Sequence, residues 1–123
     1  MTIRAIARAR DAFVHGDLRA RLSVYHGDNV DGAFWGWCNA WLDPAFRSWS
    51  VEPLLAQVRC PVLVVQGADD QYGTPAQVAA IATGVRGPAQ TLMLADCGHA
   101  AHVDQPERLL DAITGFLETH GLL

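Results

Sequence analysis

Lysine is absent from this sequence, and all nine of its basic residues are arginines. Thirteen acidic residues outnumber them, giving a formal net charge of −4. A chain with that balance has no positive footprint for a phosphate backbone, so no nucleic-acid partner is expected. The all-arginine choice reads as a compositional bias of the source and not as a phosphate site. Long apolar runs are missing too. None approaches the roughly 20 residues that a bilayer-spanning helix needs, and no membrane partner is expected. There is no secretory apolar region. The Arg-rich opening from Met1 to Arg10 has the look of a transit peptide, but Asp11 and Asp17 follow soon and no serine precedes Ser23. An ordinary surface helix is the simpler reading. Cysteine is scarce: Cys38, Cys60 and Cys97 are odd in number and form no C-x-x-C pair. That excludes a disulfide framework and fits reduced thiols in a cytoplasmic setting. Repeats and low-complexity tracts are absent.

What is present is 123 residues, half of them apolar, enough for one domain or part of one. The two halves differ in character. Residues 1–58 read as helical throughout. In the first helix Ile3, Ile6, Phe13 and Val14 fall near one face, with Arg4, Arg8 and Arg19 to solvent. A short second helix covers about Leu18 to Tyr25, and His26-Gly27-Asp28-Asn29 breaks it. A third runs from about Val30 to Leu42, apolar on two faces: Phe34, Trp37 and Trp41 on one, Trp35, Cys38 and Leu42 on the other. Asp43-Pro44 ends it, because a residue before proline avoids the helical region.

Residues 59–123 alternate strand, helix, strand, helix. Pro61 to Gln66 is an unbroken apolar run of the kind buried on both faces of a parallel sheet. Thr74 caps a helix with Pro75 at its first position and Gly84 just past its end. Gln90 to Ala95 is a second strand, and a crossover of this length joins parallel strands right-handedly. Asp104-Gln105-Pro106 opens the last helix. Leu109, Leu110, Ile113, Phe116 and Leu117 form its buried stripe, and Gly121 stops it. The fold class expected is α/β.

Two loops carry the residues capable of chemistry. Gln66 to Gly73 follows the first strand and Asp96 to His102 follows the second. Ligands bind beyond the carboxyl ends of parallel strands, so Asp70 and His99 should share one edge of the sheet. A carboxylate there can accept the Nδ1 proton of an imidazole and leave Nε2 to act as general base. Cys97, His99 and His102 also spell C-x-H-x-x-H, which has metal-ligand types. A structural zinc site takes four ligands in closed spacing and no second pair appears, so no metal is expected. His102 packs at the start of the last helix or lines the pocket. Cys97 reads as a small buried hydrophobe, not a nucleophile.

The run Cys60-Pro-Val-Leu-Val-Val-Gln-Gly-Ala-Asp-Asp70 resembles the acid-bearing strand and loop of the α/β-hydrolase family, a strand followed by G-x-x-D. Cys97-Gly-His-Ala-Ala-His-Val-Asp-Gln-Pro-Glu107 resembles that family's histidine loop, G-H-x-x-H before an acidic-x-P-E helix start. The aromatic stretch Ala33 to Trp41 and the segment Trp49 to Leu55 are similar to the end of a lid and its return to the core. The resemblance implies a partial α/β-hydrolase fold: a helical lid segment over 1–58, then two parallel strands with flanking helices over 59–123. It also implies a triad acid at Asp70 and a triad base at His99, with Trp37, Trp41 and His102 as substrate-binding residues and no cofactor. The family places its serine in a G-x-S-x-G elbow upstream of the acid. No such motif occurs, and Ser23, Ser48 and Ser50 neither follow a strand nor carry flanking glycines.

The expected function is therefore that of the C-terminal part of a serine hydrolase acting on small apolar carbonyl compounds, inactive by itself. Candidate partners are a small-molecule substrate in the parent enzyme and an N-terminal half-chain or a second copy at the open sheet edge. A half-enzyme completed by that partner, and a non-enzymatic interaction module, are the alternatives.

Overall fold

The computed structural model describes residues 3–123. The chain divides into two compact units, Met1–Trp49 and Ser50–Leu123.

The first unit is helical, with α1 (Ile3–His15), α2 (Leu18–His26) and α3 (Val30–Leu42) followed by a 3₁₀ turn over Pro44–Ser48. Helix α1 buries Ala5, Ile6, Ala9 and Phe13. Ile3 and Val14, expected on the same face, are 46% and 52% exposed. They lie about 60–100° around the helix from the Ile6–Phe13 row, at 100° per residue, on the side away from the two alanines. Ala5 and Ala9 join Ile6 and Phe13 on the buried face, and Ile3 and Val14 fall outside it. Helix α3 shows a similar rotation. Its buried row is Val30, Phe34 and Cys38, at i, i+4 and i+8. That row runs between the two expected faces and leaves Trp35, Trp37 and Trp41 half-buried on its flanks. Phe34 stacks on Phe13 with ring centroids 3.7 Å apart, which ties α3 to α1. Arg19 does not stand free in solvent. Its guanidinium forks onto the Asp31 carboxylate, with Nε at 2.9 Å, and links α2 to α3. Asp43 leaves the helical region as its proline neighbour requires, and its carboxylate accepts the Ala45 amide at 2.8 Å.

The second unit runs α4 (Glu52–Leu55), β1 (Val62–Gly67), α5 (Pro75–Gly84), β2 (Ala89–Leu94), α6 (Ala101–Asp104) and α7 (Pro106–Thr119). The strands pair in parallel, from Val62 opposite Ala89 to Gly67 opposite Leu94. Both strands begin and end within a residue of the apolar runs that predict them. Thr74 and Gln77 form a reciprocal capping box at the start of α5, with Pro75 at its first position. Gly84 is the last residue of α5, not the one beyond it. A β-carbon there would lie 2.7 Å from Leu55 Cδ1, so the glycine serves the packing of α4 on α5. Helix α7 closes with a Schellman arrangement: Leu122 N donates to the Leu117 carbonyl at 2.9 Å and Gly121 N to Glu118 at 3.1 Å. Gly121 takes φ +64° there.

Burial is shallower than the apolar runs predict. Only Val64 and Gly67 of β1 and Leu94 of β2 are fully buried. In α7 only Phe116 is buried, while Leu110 is 64% exposed. The reason is the sheet itself: among the described residues it has two strands, each with one hydrogen-bonded neighbour. Helix α5 lies on both strands and α6 and α7 pack mainly on β1, so much apolar surface stays uncovered.

The carboxyl end of β1 abuts the loop after β2. A β-carbon at Gly67 would collide with the carbonyl oxygens of Cys97 and Gly98. Backbone atoms cannot swing aside as a side chain would. Gly67→Ala is expected to destabilise the fold by about 1–3 kcal/mol, the usual cost of forcing a well-packed site apart. An unchanged urea midpoint in that variant would contradict the close approach.

Candidate active site

Parallel pairing puts the loops after β1 and β2 at the same end of the sheet. Two backbone bonds then tie the acid-bearing loop to the end of β2 and to the loop after it, and a third closes a turn within the acid-bearing loop. Ala68 N donates to the Leu94 carbonyl at 2.8 Å, Asp69 N to the Cys97 carbonyl at 2.9 Å, and Asp70 N to the Gly67 carbonyl at 3.3 Å. The second of these crosses directly from the acid-bearing loop to the histidine-bearing loop.

At the top of this lacing the Asp70 side chain is 7% exposed and the His99 ring 53% exposed. His99 Nδ1 lies 3.1 Å from both Asp70 oxygens. An ionised carboxylate only accepts, so Nδ1 carries the proton and donates it. The neutral ring then presents Nε2 as a bare acceptor, the state a general base requires. Asp70 Oδ1 also accepts the backbone N–H groups of Tyr72 at 2.8 Å and Gly73 at 3.0 Å. Burial pushes the Asp70 carboxyl up. The bonds from Gly73, His99 and Tyr72 together outweigh it and hold the group below the usual carboxylate range. Asp70 is thus ionised at neutral pH although its side chain is buried.

Other side chains complete the surroundings. The Tyr72 ring meets His99 edge-on, with centroids 5.1 Å apart at 67°. Cys97 is buried immediately before Gly98-His99. Burial raises its thiol, and Asp104, Asp69 and Asp70 raise it further against the opposing pull of Arg108. It stays a protonated, unreactive thiol at neutral pH. Cys38 is buried and free as well, and Cys60 is exposed and free. His102 stands exposed on α6, three positions beyond His99. Trp37 and Trp41 lie half-buried on α3 in the first unit, Trp41 against Phe46 and Trp49 with centroids 5.3 and 6.2 Å away. No group of three or more His, Cys, Asp or Glu side chains among the described residues is arranged to hold a metal ion.

Sequence reasoning finds Asp70 and His99 but misses three neighbours. Tyr72 has no motif signal. Asp104 and Gln105 signal only a helix start, yet both reach back to the histidine loop. Asp104 Oδ2 accepts Gly98 N–H at 2.8 Å, and Gln105 Nε2 donates to the carbonyls of Ala95 and Asp96 at 3.2 and 3.1 Å.

A carboxylate–imidazole pair thus sits on neighbouring loops at the carboxyl ends of two parallel strands, in an α/β arrangement. The sequence matches the alpha/beta hydrolase family over residues 2–112, and the chain belongs to that family. Among solved structures it is similar to a serine hydrolase involved in carbazole degradation, the CarC enzyme. The TM-score is 0.66 at 18% identity, covering 96% of this chain and 48% of that one. The chain therefore spans about half the length of that enzyme. None of the curated proteins compared with it matches.

The depressed Asp70 carboxyl has a consequence for stability. A group whose folded pKa lies below its unfolded value stabilises above the unfolded value, near 4, and loses that contribution as pH falls through the folded one. Acid unfolding of the wild type should therefore include a component that Asp70→Asn lacks, seen as a narrowing gap in unfolding free energy below about pH 4. A gap of constant size from pH 7 to pH 2 would contradict the assignment.

Proposed function

We propose that this chain supplies the acid and base of a serine-hydrolase site, Asp70 and His99, to a nucleophile lying outside these 123 residues. The observation that carries the reading is the two-oxygen bond from Asp70 to His99 Nδ1, 3.1 Å on each side. It selects the tautomer in which Nε2 is free to take a proton from a serine hydroxyl and later return it to the leaving group. Residues 59–123 are the C-terminal βαβα part of the hydrolase core, and residues 1–58 a helical lid segment. Trp37, Trp41 and His102 are proposed to face substrate. No metal or organic cofactor enters this chemistry.

The substrates proposed are small, rather apolar carbonyl compounds: esters, or the carbon–carbon bonds of ring-fission products. The 123 residues hold no G-x-S-x-G, and the match covers 48% of the similar enzyme. Both support reading the chain as the C-terminal portion of a larger catalytic unit, inactive alone. The uncovered strands and the bare side of α7 favour completion by an N-terminal half, whose next strand would add to the open edge beside β1.

A fluorophosphonate probe tests the reading. The isolated chain should take no label, and labelling of Ser23, Ser48 or Ser50 would overturn it. Joined to or co-expressed with a half carrying the elbow, the complex should label and hydrolyse p-nitrophenyl esters. In that complex His99→Ala should lower kcat by about 10⁶-fold and Asp70→Ala by about 10⁴-fold, as for other triads. Undiminished turnover in either variant would sink the assignment.

A further inference from the structure

The histidine loop is held from a second side that the proton relay does not use. Asp96 begins it in the left-handed region, φ +53°, which side chains other than glycine rarely adopt. The Gln105 amide donates to the carbonyls of Ala95 and Asp96, on either side of that residue. Two positions on, Gly98 N–H donates to Asp104 Oδ2 at 2.8 Å. Gly98 immediately precedes the base, and a glycine has the widest backbone freedom of any residue. Left unbound, it is the joint about which His99 would swing. A β-carbon at Gly98 would lie 3.2 Å from Asp104 Oδ2, so the glycine also gives the carboxylate room to approach. Helix α6 brings that carboxylate back: Val103 N and Asp104 N both donate to the Ala100 carbonyl, at 2.8 and 3.0 Å. Gly98 to Asp104 thus closes into a ring with His99 on its rim.

We propose that Asp104 and Gln105, at the joint between α6 and α7, are positioning residues that clamp the loop and hold the His99 ring on Asp70. The inference rests on reading Asp70 and His99 as the acid and base of the site. Asp104 removes the swing at Gly98, and Gln105 holds the strained turn at Asp96. Neither touches the imidazole. Both act through the backbone that leads into His99, at Gly98 and at Ala95–Asp96, while Asp69 N–H binds the Cys97 carbonyl between those points at 2.9 Å. A shift of the loop by a few tenths of an ångström opens the Nδ1–carboxylate bond, because its 3.1 Å length is already near the long end of the hydrogen-bonding range.

The test is ¹⁵N NMR of the histidine ring nitrogens in the full chain, at a pH where the imidazole is neutral. Wild-type His99 should appear mainly as the Nδ1–H tautomer. In Asp104→Ala the Nε2–H form should become the major one, and Gly98 amide exchange should quicken at least tenfold. Asp104→Asn keeps an oxygen acceptor and should restore most of the wild-type ratio, a rescue that general loss of stability would not produce. Gln105→Ala should move the ratio in the same direction and stands in should Asp104→Ala fail to fold. A wild-type ratio retained in either alanine variant overturns the clamp while leaving the Asp70–His99 reading intact. A wild-type ring already in the Nε2–H form overturns both.

Discussion

The Asp70 carboxylate is a buried charge, and the loop architecture of the second unit is organised around satisfying it. Tyr72 N–H, Gly73 N–H and His99 Nδ1–H converge on its two oxygens. Stripping one of these donors away leaves a desolvated acceptor, a cost of about 1–3 kcal/mol and more for a charged group. The three donors come from two loops, so both loops must lie where they do for the charge to be tolerated. Parallel pairing of β1 with β2 puts them at the same edge, and Gly67 lets the backbone of one rest on the backbone of the other. Polarity, register and the absence of one β-carbon are thus a single constraint seen at three scales.

That constraint also explains how a site can be well ordered in a unit with a thin core. The strands pair with each other alone among the described residues, and few of their side chains are fully buried. Order at the loops comes instead from local bonds: Asp69 to Cys97, Gly98 to Asp104, Gln105 to Ala95 and Asp96. Such bonds are modest individually, about 1 kcal/mol each, but they act on a segment of only a few residues. The carboxylate–imidazole geometry therefore rests on bonds made within the second unit.

The first unit follows a different rule. No side chain of α2 is buried, and its link to α3 is the Arg19–Asp31 fork on the surface. The core there is the Phe13–Phe34 stack with Ile6, Val30 and Cys38 around it. The tryptophans of α3 sit beside that core and not in it, which leaves indole surface available in a segment read as a lid.

Much of this was legible in the residues. The helix ends at Asp43-Pro44, Thr74-Pro75 and Gly121 depend on backbone chemistry confined to a few neighbours, and local sequence determines that. The strands announce themselves by unbroken β-branched runs, and the G-x-x-D and G-H patterns place an acid and a base after them. Helix faces were less legible. Period gives the angle of each side chain but not the direction from which the neighbour comes, so it points Ile3 and Val14 inward where Ala5 and Ala9 are. Burial of β1, β2 and α7 is shallower than their apolar content predicts, because apolar content measures what a surface prefers, while coverage depends on how many elements surround it. Asp104, Gln105 and Tyr72 were invisible as site residues. Asp104 and Gln105 bind backbone groups six to ten residues away and the Tyr72 ring meets His99 from another loop, and such contacts exist only once the chain has turned back on itself. Sequence alone determined which side chains are able to accept or hold a proton. Tertiary structure decided that Asp70 and His99 meet, because a 3.1 Å contact across 29 residues depends on the strand register and on Gly67, not on either residue's own neighbours.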